Sequence, residues 1–427
     1  MRWIPAFAGM TRWSGNDETG QTGLKSVARP GTMKMMYDVI VIGAGPVGSR
    51  VAERLAGQGH RVLVLERNAQ PGGKVSCAGF IGQECVDAFG ISESVILRMV
   101  NSASLFSPSR IKLHVHRDTP QACILDRTAF DIRMAERAQE AGAEFQFNSR
   151  VTGIIIENDR AGVPVESEGG ESLISARAVV MACGFSPGLI RKLGLGRYRD
   201  STIGAQAEVA APGVDEVEVY FGDVAPKFFG WIAPTTGGKA RVGLLSRDRA
   251  GEKLKAWLKT LADEGRIITA EVPVYHGGIP LKPLRRTYSE RLLVAGDAAG
   301  QVKPTSGGGI YYGLLCADIA ADTFHRALTD GDLSARNLAG YEKTWRQLLG
   351  RELRTGYRGR WLFERLSHRS IDRLFTWVCK RGIDTALLEA EDLSFDWHSR
   401  TINRLIRYRL SSVFRSLFRL PFSHRSD

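Results

Sequence analysis

Tyr37-Asp38-Val39-Ile40-Val41-Ile42-Gly43-Ala44-Gly45-Pro46-Val47-Gly48 is the stretch that decides the fold. A short apolar, β-branched run reads as a strand, and the GxGxxG that follows it without a gap reads as a tight turn opening a helix. Residues 47–57 keep helical spacing, and Arg61–Leu65 is a second apolar strand that ends in Glu66. Strand, glycine turn, helix and strand within 30 residues make the βαβ pattern that binds dinucleotides. Gly43 permits the turn, Gly45 lets a pyrophosphate approach the backbone, and Gly48 lets helix and strand pack closely. With Pro46 between them, these are the candidate phosphate contacts, the helix turning its N-terminal N–H groups toward the anion. Glu66 is placed to accept hydrogen bonds from ribose hydroxyls, with Arg67 beside it. This motif alone does not separate FAD from NAD.

Outward from that core the chain divides unevenly. Residues 1–35 lack periodicity, and Trp3-Ile4-Pro5-Ala6-Phe7-Ala8-Gly9-Met10-Thr11 resembles the translated product of a short repeat common in bacterial intergenic DNA. A disordered or spurious extension is expected there, with the working protein starting at Met33, Met35 or Met36. Further along, the pattern predicts a helix over 129–141, strands over 151–157 and 178–182, short strands with Gly and Pro punctuation over 201–282, and a helix from about Gly308. The 427 residues are too many for one ordinary core, so two intimately packed domains are expected. No run of 18 apolar residues occurs, which argues against a membrane-spanning helix. Six scattered cysteines without a CxxC pair argue against a disulfide framework or a zinc site and suit a reducing compartment.

Leu292-Leu293-Val294-Ala295-Gly296-Asp297-Ala298-Ala299-Gly300 is a second strand-to-turn motif, and Pro304 and Gly307-Gly308-Gly309 carry it into a helix. It resembles the second FAD motif of the flavoproteins related to aromatic hydroxylases, in which the Asp contacts the ribityl chain and the helix start lies under the flavin pyrimidine ring. The physics suits that role, because a helix N-terminus stabilises negative charge on a reduced flavin. Leu125-Asp126-Arg127 resembles the "DR" segment of the same flavoproteins. Val179-Val180-Met181-Ala182-Cys183-Gly184 resembles their strand that closes on the adenine side. Gly300 stands where the hydroxylase branch usually has His. Together with Pro304, the triple glycine, Ile310 and Gly313, it gives the form found in the geranylgeranyl reductase family. That family carries PxxYxWxFP in its substrate domain, and here Pro226-Lys227-Phe228-Phe229-Gly230-Trp231-Ile232-Ala233-Pro234 keeps Pro226, an aromatic at 229, Trp231 and Pro234. Phe229 replaces its Tyr and Ala233 its Phe, which leaves the particular substrate open. The resemblance covers about residues 36–345.

It implies an α/β fold: a Rossmann-like FAD-binding domain interleaved with an antiparallel β-sheet substrate domain, then a helical C-terminal region. The expected division gives 36–100, 122–200 and 283–345 to the FAD domain, 101–121 and 201–282 to the substrate domain, and 346–427 to a basic helical region. The implied activity is reduction of carbon–carbon double bonds in isoprenoid lipid or quinone chains, with hydride from the N5 of reduced FAD. NAD(P)H or a ferredoxin is the expected electron donor. The expected cofactor contacts are Gly43, Gly45, Pro46, Gly48, Glu66, Arg67, Arg127, Gly184, Asp297, Gly307, Gly308 and Gly309. Phe228, Phe229, Trp231 and Ala233 are expected to line an apolar tunnel, or else to be sheet core. Cys77 aligns with a family cysteine expected near the flavin, where a thiol could donate a proton or merely pack. Tyr311, Tyr312 and His276 are alternative acids, and the other five cysteines read as core.

Three other classes share parts of this pattern. A fused quinone-linked electron-transfer flavoprotein dehydrogenase needs an iron–sulfur segment, and only Cys379 lies beyond residue 316; a simple quinone-linked form stays open. Flavin monooxygenases and halogenases share the FAD motifs, but the halogenase signature Trp-x-Trp-x-Ile-Pro lacks its first Trp and its Ile here. A prenyl-protein escort that has lost FAD would not need the intact glycines and Asp297. The formal net charge is +12, and residues 341–427 hold 18 basic and 10 acidic side chains, a net of +8. Within 401–420, Ile402, Leu405, Ile406, Leu410, Val413, Phe414, Leu417 and Phe418 share one helical face, and five arginines fall elsewhere without an acid among them. That is a basic amphipathic helix, suited to an anionic membrane surface or to docking on the protein itself. A cytoplasmic protein, peripheral on the cytoplasmic face, is expected. No nucleic-acid signature accompanies the charge.

Overall fold

The structure is a computed structural model that describes residues 36–73, 77–380, 394–399 and 402. The N-terminal arm 1–35 and, Ile402 apart, the amphipathic stretch 401–420 lie outside the described residues.

The apolar run Tyr37–Ile42 is a central strand, because both of its faces find cover. It pairs in parallel with Val62–Leu65 on one side and with the last half of Gly170–Met181 on the other, Ile42 opposite Leu65 and Met181. Glu144–Gln146 and Leu292–Val294 extend the parallel set at either end. The first half of Gly170–Met181 runs antiparallel with Ala161–Ser167. Helices Pro46–Gly57, Arg127–Glu140 and Ile310–Asp330 pack on one face through Val51, Leu55, Met134 and Phe324. Ile190 and Leu195 cover part of the other. The carboxyl ends of Tyr37–Ile42, Gly170–Met181 and Leu292–Val294 therefore point to one place, where an open parallel sheet holds its ligand.

A second sheet of seven strands draws on two distant parts of the chain. Its order is Tyr275–Pro280, Ser201–Ala210, Lys239–Ser246, Gly230–Pro234, Val217–Tyr220, Ser102–Phe106 and Lys112–His116. All pairs are antiparallel except Val217–Tyr220 with Ser102–Phe106. Helix Ala250–Asp263 covers one face with Leu254, Trp257 and Leu258, and Gly230 makes room for it: a Cβ there would stand 2.8 Å from the Trp257 ring. A three-stranded sheet, Phe80–Gly82, Ala122–Leu125 and Ile96–Val100, joins the two large ones. Helices Ala335–Phe363 and His368–Lys380 follow, the second held to the far edge of the seven-stranded sheet by Asp372, which accepts from the Ser107 hydroxyl at 2.6 Å. No helix among the described residues is long and apolar enough to cross a membrane.

Two local expectations are corrected. The strand expected over 151–157 is interrupted into Arg150–Val151 and Ile155–Ile156, each pairing only briefly with Ala161–Ser167. Not all remaining cysteines are core: Cys85, Cys123 and Cys316 are buried, whereas Cys183 is partly exposed and Cys379 is exposed.

Candidate active site

The glycine turn separates into two jobs. A Cβ on Gly43 would sit 2.7 Å from the Ala182 carbonyl, and one on Gly48 only 1.9 Å from the Gly43 carbonyl, so both serve backbone packing. Gly43 also has φ +104°, a conformation that favours glycine. Gly45 is different: nothing lies within 4 Å of a Cβ built there, and it faces an open cavity. Pro46 is the first residue of helix Pro46–Gly57, whose leading N–H groups no side chain caps. Glu66 closes the turn, accepting from the Ala44 N–H at 3.0 Å and the Asn68 N–H at 2.9 Å, and it lines the same cavity. Arg67 and Gly184 line it as well, and Gly184 at φ +71° has open space above it.

The second motif meets the first across the cavity. Asp297 lies in the turn after Leu292–Val294, and a Cβ on Gly309 would be 2.3 Å from its Oδ1, so this glycine admits the carboxylate. Gly307, Gly308 and Gly309 lead to the uncapped start of helix Ile310–Asp330. Among the described residues nothing donates a hydrogen bond to the Asp297 carboxylate, and burial pushes its pKa up to about 6 although Arg127 opposes this. Arg127 itself is buried, which works against its charge, but Asp131 at 2.9 Å and the Cys77 thiol hold its pKa above the ordinary value. An open glycine cradle, two uncapped helix starts and a partly exposed carboxylate without a hydrogen-bond donor among the described residues, all facing one cavity, suit the pyrophosphate and hydroxylated chain of FAD.

The cavity does not stop at the dinucleotide end. Its volume is about 2010 Å³, and it continues across the seven-stranded sheet over Leu245, Trp231, Phe229, Val219 and Leu105. Leu362, Phe363 and Leu374 of the C-terminal helices close it from the other side. Phe229 and Trp231 are therefore lining residues, but Phe228 and Ala233 are not. Phe228 is 1 % exposed, turned into the core beneath the Arg360 guanidinium, 3.6 Å from its ring centre. Ala233 is on the same strand face as Trp231 but is covered by Ile124 of the three-stranded sheet and Val217 of the adjacent strand. Cys77 lines the cavity; its carbonyl accepts from Gln206 Nε2 at 3.1 Å and its Sγ from the Gly79 N–H at 3.4 Å. Of the alternative acids, His276 is on the exposed rim, while Tyr312 is buried and donates to the Asp396 carbonyl at 2.8 Å. Tyr311 is buried against Phe89 and Trp397.

Sequence reasoning missed one cluster of the wall. Lys303 is 5 % exposed and paired with the buried Asp396; Thr305 is hydrogen-bonded to His398; Lys303, Thr305 and His398 all line the cavity. Lys303 was signalled by its place just before Pro304 in the second motif. Asp396 and His398 carry no local pattern and arrive from 90 residues further along the chain. Ile402, counted above on the apolar stripe of the tail helix, also lines the cavity, packed over Gly359.

A fold with two FAD-type motifs meeting at the ends of parallel strands defines a class, and comparison with known proteins gives the same class. The family described as "FAD binding domain" matches residues 36–318. The digeranylgeranylglycerophospholipid reductase of Methanocaldococcus jannaschii is 33% identical over 353 residues, covering 79% of this chain and 90% of its own. The crystal structure of a geranylgeranyl bacteriochlorophyll reductase-like protein from Thermoplasma acidophilum matches with a TM-score of 0.78 at 23% identity, covering 90% of this chain and 98% of that one. A flavin-dependent brominase matches at 0.62 and 17% identity, over 89% of this chain and 100% of its own, a likeness of fold alone. The chain is an FAD-dependent oxidoreductase. It belongs to the geranylgeranyl reductase family of the FAD-binding-domain flavoproteins.

Proposed function

We propose that this protein reduces carbon–carbon double bonds in isoprenoid chains, of the kind that the name of its Methanocaldococcus relative describes. The observation that carries this reading is one cavity shared by the dinucleotide cradle and an apolar floor. A volume of about 2010 Å³ exceeds what one small ligand needs, typically about 300–1,000 Å³, so cofactor and a second, long apolar ligand fit together. FAD, when bound and reduced, supplies hydride at N5. The chain's own residues do the rest. Gly43, Gly45, Pro46 and Gly48 receive the pyrophosphate, Glu66 and Arg67 the adenosine ribose, with Gly184 beside the adenine. Arg127, Asp297 and Gly307–Gly309 hold the flavin end. Phe229 and Trp231 hold the substrate by shape, since an alkene offers no polar handle, and they keep water out. Cys77 stands at that wall, its Sγ accepting from the Gly79 N–H.

NAD(P)H or a ferredoxin re-reduces the flavin, and residues 401–420 bring the enzyme to an anionic membrane surface on the cytoplasmic side. The sequence supports the latter through five arginines and no acid in that stretch. The test is mass spectrometry of lipids from cells with and without the gene, and of a geranylgeranyl phospholipid incubated with purified enzyme and dithionite. Isoprenoids heavier by one H2 per double bond in the presence of the protein are the expected result. Unchanged isoprenoids in both experiments overturn the reading.

A further inference from the structure

Adding hydride to one carbon of an alkene leaves its neighbour in need of a proton, and an apolar cavity supplies none unless one is built in. Most ionisable groups of the wall are committed. Asp131 is tied to Arg127, Glu66 accepts from backbone N–H groups, and Lys303 donates to Asp396 and, at 3.4 Å, to the Phe395 carbonyl. Thr305 and His398 are bonded to each other and open to the cavity.

We propose that Thr305 and His398 form a proton relay that delivers the second hydrogen to the double bond, an inference that rests on the reductase reading above. The geometry fixes the direction of each bond. A carbonyl only accepts, so the 2.8 Å contact from His398 Nε2 to the Phe395 carbonyl puts the resting proton on Nε2. Nδ1 then accepts from the Thr305 hydroxyl. The Thr305 methyl faces helix Ala335–Phe363, 3.6 Å from where a Cβ on Gly356 would be, which leaves the hydroxyl on the His398 side. The segment bearing His398 is fastened on every side. Asp396 pairs with Lys303, the Trp397 indole donates to Glu84 at 2.7 Å, and the Ser399 N–H donates to Glu352 at 2.8 Å. Of the charges near it (Lys303, Asp396, Glu84 and Glu352), Lys303 adds to burial in holding the His398 pKa down to about 4. Its protonated form is therefore a stronger acid than an ordinary imidazolium, and a minor species at neutral pH.

The step balances. Water protonates His398 at Nδ1 as the Thr305 hydroxyl turns from it toward the double bond, leaving hydroxide in solvent; Nδ1–H then passes to Thr305 Oγ1 as the Thr305 hydroxyl proton passes to carbon. The adjacent carbon takes the hydride supplied by reduced FAD, so one π bond is lost, two C–H bonds form and the flavin is oxidised by two electrons. His398 returns to neutral.

The test uses full-length holoenzyme in two measurements. In protein labelled with 15N-histidine, the signal lost in His398→Gln identifies the ring; Thr305→Val is expected to shift its Nδ1 resonance, and an unmoved signal overturns the pairing. In the second, dithionite-reduced holoenzyme is mixed anaerobically with geranylgeranyl diphosphate in D2O. Wild type is expected to reoxidise its flavin and place two solvent deuteriums per reduced bond, one through the relay and one through N5, whose hydrogen dithionite reduction takes from solvent. Thr305→Val is expected to slow that reoxidation about 100-fold or more, with FAD retained, and Thr305→Ser to restore it. Wild-type rates in Thr305→Val overturn the relay alone. Wild type that leaves the chain unreduced overturns the reductase reading and the relay with it.

Discussion

At the dinucleotide end the cavity wall is backbone, and at the other end it is side chain. Gly43, Gly48 and Gly309 bring main chain to within contact of main chain or carboxylate, while Gly45 and Gly184 stay open toward the cavity. The floor under the proposed substrate is assembled from neighbouring strands of the seven-stranded sheet, through Leu105, Val219, Trp231 and Leu245, with Phe229 just ahead of its strand. A backbone cradle tolerates almost no change and demands one residue type at fixed spacing. A side-chain floor tolerates exchange of one large ring for another, as Phe229 in place of Tyr illustrates. The difference teaches where substitutions should hurt folding and where they should change selectivity.

The sharpest way to break that contrast is inside the glycine motif itself. Gly48→Ala places a methyl 1.9 Å from a carbonyl oxygen, so strand and helix must part. It is expected to cost more than about 3 kcal/mol and to abolish FAD retention, read as melting temperature and flavin content after gel filtration. Gly45→Ala meets nothing within 4 Å. It should leave the apo protein within about 0.5 kcal/mol of wild type while lowering FAD affinity about tenfold or more. Equal losses of apo stability in both variants would remove the distinction between packing and ligand glycines.

At the other end the adjacent pair Phe228 and Phe229 makes the same kind of test. Phe228→Ala empties a core site under Arg360 and should cost about 3 kcal/mol by denaturant unfolding, with the ratio of rates on short and long isoprenoids unchanged. Phe229→Ala, at a partly exposed lining position, should cost less than about 2 kcal/mol and shift that ratio. A selectivity change confined to the Phe228 variant would reverse the assignment of the two rings.

How much of this was legible in the sequence follows the same division. The cradle could be read because glycine spacing, the preceding strand and the acid after the second strand are local and chemically obligatory. Asp297 and Gly309 were legible for that reason. Phe228 was misplaced because side-chain direction in the turn before Gly230–Pro234 depends on Lys227, held at φ +68°, and this breaks the alternation of a strand. Ala233 was misplaced because its cover comes from Ile124, more than 100 residues earlier. The Lys303, Asp396, Thr305 and His398 cluster was invisible as a unit, since two of its members lie about 90 residues beyond the others with no periodic signal between them.

Asp297 tests the cradle by pH. Its carboxyl titrates near 6 in the folded protein, above the ordinary 3.8, because burial without a donor disfavours the charge. A raised folded-state pKa means that the folded state binds the proton more tightly. The penalty is thus fully present above about pH 6 and is relieved as pH falls toward 4. At pH 7.5 Asp297→Asn should stabilise the apo protein by about 2 kcal/mol, and the gain should vanish near pH 4. In the FAD-loaded protein the cofactor's hydroxyls would give the carboxylate the donors it lacks, so the gain should shrink while the variant holds FAD more weakly. Paired melting curves of apo and loaded protein from pH 4 to 8 read both effects. An apo gain that is the same at every pH would mean that the carboxylate is not orphaned, and that the cradle is complete without its ligand.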